Sequence, residues 1–350
     1  MPVAQNPHIL CIRLSAMGDV AMTVPVLIAL TRTYPHLEIT VVSRPFFAPF
    51  FEPLERVHFF GADVKGRYKG AVGLYKLYKD LDPARFTAIA DLHNVIRSNV
   101  LRSFFRLRGS KSAQIDKSRA EKKALTREIN KDFRALKSTH ARYAEVFESL
   151  GYPVQLTGSE FLPKQAITDS IREHIGHEPY KWLGVAPFAA HAGKHYPLEL
   201  MDVVLSQLNR ESYKIILFGG GAEETQKLQS FADKYPNCVS VAGTFSFAEE
   251  LALISHLDAM LAMDSGNGHL AALFGIPVVT IWGVTHPYLG FTPYGQPPEN
   301  QLLADREQFP AIPTSVYGNK VPAGYEKAMY SIKPQTILNR IINVLEKNII

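Results

Sequence analysis

Short apolar runs alternate with amphipathic stretches along the whole chain. Residues 9–14 open the first half as a mostly apolar stretch interrupted by Arg13, a loop containing Gly18 follows, and an apolar run starts at Val20. Residues 38–43 and 86–92 read as further strands, with a basic helical region behind them. The pattern then starts again. Residues 182–188 are apolar, 189–197 form a loop, and 198–209 have helical spacing; 214–220, 223–235, 239–243 and 247–257 continue the alternation. Strand-like and helix-like runs in turn predict parallel βαβ units in each half.

The most informative stretch is residues 259–283. An apolar run ends at Asp264, a small polar loop spans 265–268, His269 opens a helical run, and residues 276–282 read as a buried strand. Unpaired backbone N–H groups at such a strand–turn–helix junction favour an anion. The same pattern also describes an ordinary βα turn in which Asp264 caps the helix. Two more loops stand where strands of this class present their carboxyl ends to ligands, residues 15–19 and 189–197.

With 350 residues the chain has room for two domains, and the pattern breaks between 158 and 181, giving domains at 1–165 and 166–332 and a last helix at 333–350. A 46% hydrophobic and 20% charged composition describes a soluble globular protein. The two cysteines, Cys11 and Cys238, exclude a disulfide framework and a cysteine-rich zinc site. With no signal-peptide pattern and no run of ~18 apolar residues, the expected location is the cytoplasm.

The net charge of +5 is uneven. From Arg97 to Arg142 there are fourteen Lys/Arg against four Asp/Glu, so the rest of the chain is net acidic. Such a block is either a landing surface for an anionic glycolipid, membrane face or nucleic acid, or a solvated helix face. It lacks the interleaved aromatics of a single-strand-binding platform.

Several side chains can carry chemistry. Asp19 starts a helix after Gly18, as an N-terminal acid serving that helix or as a general base on a hydroxyl. Lys194 is either a surface lysine or a cation that neutralises a departing diphosphate. Gly219 and Gly220 lead to Glu223 and Glu224, as a tight turn or as a nucleotide approach with a carboxylate for a ribose diol. Asp80 and Asp82 match a D-x-D metal clip in form, but they follow a polar run instead of ending a strand, and the histidines lack zinc-site spacing. No metal or cofactor is expected.

Taken together, these motifs resemble glycosyltransferase family 9, the ADP-heptose:lipopolysaccharide heptosyltransferases. R-x-S-x-x-G-D is matched by Arg13, Ser15, Gly18 and Asp19. A proline-containing helix follows at Pro25, and K-x-W-P is matched at Lys194 to Pro197 with Tyr196 for Trp. D-S-G-x-x-H-L-A is met by Asp264, Ser265, Gly266, His269, Leu270 and Ala271, and G-x-P-V-V-x-x-x-G by residues 275–283. The chain departs from the family at Ala189 and Ala190, where hydroxyl residues are common, and in lacking a cysteine between 307 and 331.

The resemblance implies a GT-B α/β fold, two facing Rossmann-like doubly wound domains with a cleft between them. It implies an inverting, metal-independent transfer from a nucleotide-diphosphate sugar, ADP-heptose, to a lipopolysaccharide-core or related lipid-linked saccharide. Asp19 is then the base and Lys194 the partner of the departing phosphate. Asp264, Ser265, Gly266 and His269 line the donor, with Gly219, Gly220, Glu223 and Glu224 beside it. Ser15, Gly18, Arg97, Arg102, Lys122 and Arg127 face the acceptor, with peripheral contact at the inner leaflet of the inner membrane and no nucleic acid as partner. The alternatives are a nucleotide-sugar epimerase of the same architecture and a non-enzymatic protein binding nucleic acid or an anionic surface.

Overall fold

The structure is a computed structural model and describes residues 6–178, 180–209 and 213–347. It divides into two units, residues 1–117 with 138–162 and residues 118–137 with 163–350.

In the first unit β1 (His8–Ile12) leads into α1 (Met17–Ala21) and α2 (Val24–Thr33). The apolar run from Val20 is thus two helices, not one. Pro25 stands in the first turn of α2, where its missing N–H costs no helical hydrogen bond. Then come β2 (Glu38–Ser43), β3 (Val57–Gly61), α3 (Gly70–Asp80), β4 (Ala88–Asp91), α4 (Ile96–Leu107) and β5 (Lys111–Gln114). The chain leaves for α5 (Arg119–Leu125), which groups with the second unit, and returns as α6 (Thr139–Leu150). The sheet order is β3-β2-β1-β4-β5, all parallel. Every residue of β1 and β4 is buried, which is why their interiors, residues 9–12 and 88–90, are continuously apolar instead of alternating. Leu10, Ile12, Ile89, Leu101 and Phe105 belong to one core.

The second unit continues with α7 (Asp169–Ile175), β6 (Lys181–Ala186), α8 (Leu198–Leu208), β7 (Tyr213–Leu217), α9 (Ala222–Lys234), β8 (Cys238–Ser240) and α10 (Phe247–Ile254). It ends with β9 (Ala259–Met263), α11 (Gly266–Ala272), β10 (Val278–Trp282), β11 (Gln301–Leu303) and α12 (Pro334–Lys347). The order is β11-β10-β9-β6-β7-β8, again all parallel. Its core joins Leu183, Val185, Leu261 and Ile281 to Ile337, Ile341 and Leu345 of α12, so the last helix packs within this unit.

In each sheet the winding reverses beside the first strand. In right-handed α/β units that reversal opens a crevice beyond the carboxyl ends of the two strands flanking it. The flanking pairs are β1 with β4 in the first unit and β6 with β9 in the second.

Candidate functional site

At the switch point of the first unit, Arg13 follows β1 and is buried. Its guanidinium donates to Leu92 O at 2.8 Å and meets Asp19 Oδ2 at 2.5 Å. Asp19 Oδ2 also accepts from Ala16 N at 3.3 Å, so the carboxylate reaches back to the start of its own helix. The buried Tyr143 of α6 lies under the Arg13 guanidinium and donates to Asp19 O at 3.2 Å. Asp19 is fixed from three sides with its side chain 31% exposed, so the carboxylate is held and still reachable. Asp19 thus serves the start of its own helix, one of the two sequence readings.

From β4, Asp91 Oδ1 accepts from His93 N and Asn94 N, both at 2.9 Å, and this turn delivers His93 to the same crevice. His93 Nδ1 accepts from Leu14 N at 3.3 Å. Burial, then the charges of Arg13 and Lys117, push its pKa down to about 3, so the ring is neutral.

In the second unit, Lys194 sits on a 3₁₀ turn after β6 and Asp264 directly after β9. Lys194 Nζ lies 2.7 Å from Asp264 Oδ2, and the Thr285 hydroxyl, beyond β10, donates to the same oxygen at 2.8 Å. Asp264 and Thr285 are buried and Lys194 nearly so. Three glycines bring the backbone segments around Lys194 together. Gly193 N donates to Gly318 O at 3.2 Å, and Val284 N donates to Gly193 O at 3.0 Å. A Cβ on Gly193 would meet Gly318 O at 2.6 Å, and one on Gly283 would meet Gly193 O at 2.3 Å. A Cβ on Gly318, which has φ +81°, would stand 2.6 Å from Lys194 Cγ.

Gly266–Gly268, which the sequence suggests as a loop, is the first turn of α11. Ser265 in extended conformation is its N-cap, and His269 is buried one turn in, not at the helix start. The Ser265 hydroxyl is buried with no hydrogen-bond partner among the described residues. A pocket of about 130 Å³ in the same unit is lined by Pro187, Phe188, His195, Tyr196, Glu223, Glu224 and Lys227. Glu224 Oε2 accepts from Gly220 N at 2.9 Å, and Glu223 pairs with Lys227 at 2.7 Å. The glycine run is thus a tight turn that also puts two carboxylates on a pocket wall.

A family model for glycosyltransferase family 9 (heptosyltransferase) matches residues 74–317. The chain belongs to glycosyltransferase family 9.

The matched span holds Lys194, Asp264, Ser265 and His269, while loop 15–19 lies ahead of it. The chain is 24% identical over 302 residues to the Haemophilus influenzae lipopolysaccharide core heptosyltransferase OpsX, covering 84% of each. Its fold is similar to that of a glycosyl transferase family 9 protein from Veillonella parvula, with a TM-score of 0.76 and 19% identity over 99% of both chains. It is also similar to the Escherichia coli heptosyltransferase WaaC with ADP, with a TM-score of 0.68 and 18% identity, covering 96% of this chain and 99% of that one. As a member of the family it is a glycosyltransferase of heptosyltransferase type with a GT-B α/β fold.

The basic block splits. Arg97 and Arg102 stay in the first unit, while Lys122 and Arg127 fall in the second. Arg97 is exposed at the start of α4, whereas Arg102 is turned to Gln114 Oε1 at 2.5 Å and lies 3.7 Å from Asp91. Lys122 is buried with its ammonium 4.0 Å over the Phe291 ring. Lys111 and Lys131 donate to backbone carbonyls, and Arg134 pairs with Asp132 and Glu121. Much of the block therefore has internal work. Asp80 is held by Arg67 at 2.6 Å and by the Tyr68 hydroxyl at 2.9 Å. Among the described residues no three His, Cys, Asp or Glu side chains come together to hold a metal ion, and no helix is long and apolar enough to cross a membrane.

Sequence reasoning missed Thr285, Gly318, Tyr143 and His93. Thr285 and His93 follow strands β10 and β4 within three residues, so the carboxyl-end rule had the means to find them.

Proposed function

We propose that this protein is an inverting glycosyltransferase that moves heptose from ADP-heptose to a lipopolysaccharide-core or related lipid-linked saccharide. The observation that carries the reading is the Lys194 ammonium held at the switch point of the second unit by the buried Asp264 and Thr285 pair. A cation fixed there offsets charge that develops only as a phosphate departs, the kind of interaction that lowers a barrier. WaaC, solved with ADP, and OpsX, named for the lipopolysaccharide core, support the choice of donor and acceptor.

In this reading Asp19 accepts the proton of an acceptor hydroxyl. The acceptor oxygen forms its bond to the anomeric carbon as the bond from that carbon to the diphosphate oxygen breaks. The electron pair leaves on the diphosphate, facing Lys194, with Ser265, Gly266 and His269 beside it. Gly219, Gly220, Glu223 and Glu224 hold the nucleoside end. One displacement with one base inverts the anomeric carbon. Arg13 pairs with the Asp19 carboxylate and keeps it aimed, and Lys194 offsets the leaving charge in place of a metal. Ser15, Gly18 and Arg97 face the acceptor, and exposed arginines of the first unit supply a peripheral contact with an anionic inner leaflet.

Asp19→Asn tests the reading, because it keeps the shape and removes the proton acceptor. Turnover of ADP-heptose on heptose-deficient lipopolysaccharide is expected to fall below detection, with ADP binding by calorimetry unchanged. Turnover close to that of the unmodified protein would remove Asp19 as the base.

A further inference from the structure

His93 lies outside every motif that ties this chain to its family reading, and none of the steps above uses it. It follows β4, and Leu14 follows β1; these are the two strands that flank the switch point of the first unit. Asp264 has the corresponding place in the second unit, at the end of β9 beside β6.

Two features define what the imidazole can do. Nδ1 accepts from Leu14 N at 3.3 Å, so the ring proton is on Nε2. The residue is only 8% exposed, yet Nε2 has no partner among the described residues and is not sealed in the interior. Its surroundings are polar. Asp19, Arg13, Arg97 and Lys117 are all within electrostatic reach, and the three cations oppose a second proton on the ring. The Asp91 turn fixes the backbone on both sides of it. The ring is therefore a donor that cannot act as a base, because its one lone pair is used on Leu14.

We propose that His93 is a specificity-determining residue for the acceptor, its Nε2–H donating to an oxygen of the acceptor sugar while Nδ1 pins the loop that carries Asp19. A fixed N–H beside the base selects which hydroxyl of the sugar turns toward the carboxylate, since an acceptor without an oxygen there leaves a nearly buried donor unpaired. The inference rests on Asp19 being the base of the transfer.

The test uses the full-length protein and two variants. Long-range ¹H–¹⁵N NMR is expected to show His93 with Nε2 protonated and Nδ1 bare from pH 8 to pH 5. Titration of the ring in that range, or a proton on Nδ1, overturns the proposal. With ADP-heptose and deacylated heptose-deficient lipopolysaccharide, His93→Phe is expected to raise the acceptor KM by about tenfold, the size of one lost hydrogen bond. The donor KM should not move. His93→Gln offers an oxygen to Leu14 and an N–H outward, and is expected to recover the acceptor KM to within about threefold. An unchanged acceptor KM in His93→Phe, or a Gln variant as impaired as Phe, overturns the proposal. Failure of the Asp19 reading looks different: Asp19→Asn would then turn over normally while the His93 variants still separated in acceptor KM.

Discussion

Lys194 and Asp264 meet at 2.7 Å although 69 residues separate them, and the strands that deliver them, β6 and β9, are hydrogen-bonded neighbours. The pair is nearly buried, and Thr285 supplies the second donor to the same carboxylate oxygen. Breaking a buried pair from one side leaves a charge uncompensated. Lys194→Ala is expected to lower kcat by about a hundredfold or more. The measurement is steady-state turnover alongside calorimetric ADP affinity; a loss confined to KM would assign Lys194 to binding alone.

Thr285→Val keeps the shape of the side chain and removes its hydroxyl. Asp264 then loses a charge-assisted donor, at a cost of about 1.5–3 kcal/mol of stability. Urea unfolding at neutral pH reads this directly, and a variant as stable as the parent would show that the Thr285 hydrogen bond is immaterial.

Gly318→Ala has two costs. The residue has φ +81°, where a side chain is strained by about 1–2 kcal/mol, and its Cβ would press on the Lys194 stem. A displacement of about 1 Å at a catalytic group can cost as much as a hundredfold in rate. The expected signature is a fall in kcat larger than the loss of stability explains. Gly324→Ala is the control, because it has φ +85° and a Cβ there meets nothing within 4 Å.

The acid response follows from two buried histidines. Burial first, and then nearby cations, lower the pKa of His93 to about 3 and that of His286 to about 4. In the unfolded chain both take up protons near 6.5, so between that pH and the folded values the unfolded state binds more protons. Stability is full above about pH 6.5 and is lost as pH falls toward 4. Thermal unfolding across this range should show the slope, and His93→Gln and His286→Asn should each flatten it. A pH-independent melting temperature between 6.5 and 4.5 would count against both assignments.

The parts of the site that the sequence made legible are those where a buried strand stops abruptly. Residues 259–263 are wholly buried and apolar, so Asp264 stands out as the first polar residue after them. The edge strands were harder to find. β5 is Lys-Ser-Ala-Gln and β11 is Gln-Leu-Leu, both partly exposed and too short for a pattern. Positioning partners were harder still. Tyr143 lies 124 residues from the Asp19 it supports, and nothing local in α6 distinguishes it from the other buried residues of that helix. Motif spacing finds the polar groups at strand ends, while the groups that hold them are set by tertiary packing.

The excursion of residues 118–137 bears on how such a protein can be recombined. Within the second unit Phe133 packs against His286 and Tyr288 and under the Arg306 guanidinium, while Lys131 reaches Pro313 O. The chain therefore passes between the units three times, not once. A chimera with a relative, cut once near residue 163, would join a foreign arm to the second unit and leave its own aromatic seat unmatched. Exchange of the two units between members of this family is better made as a two-piece graft, with residues 118–137 travelling with the half that follows them.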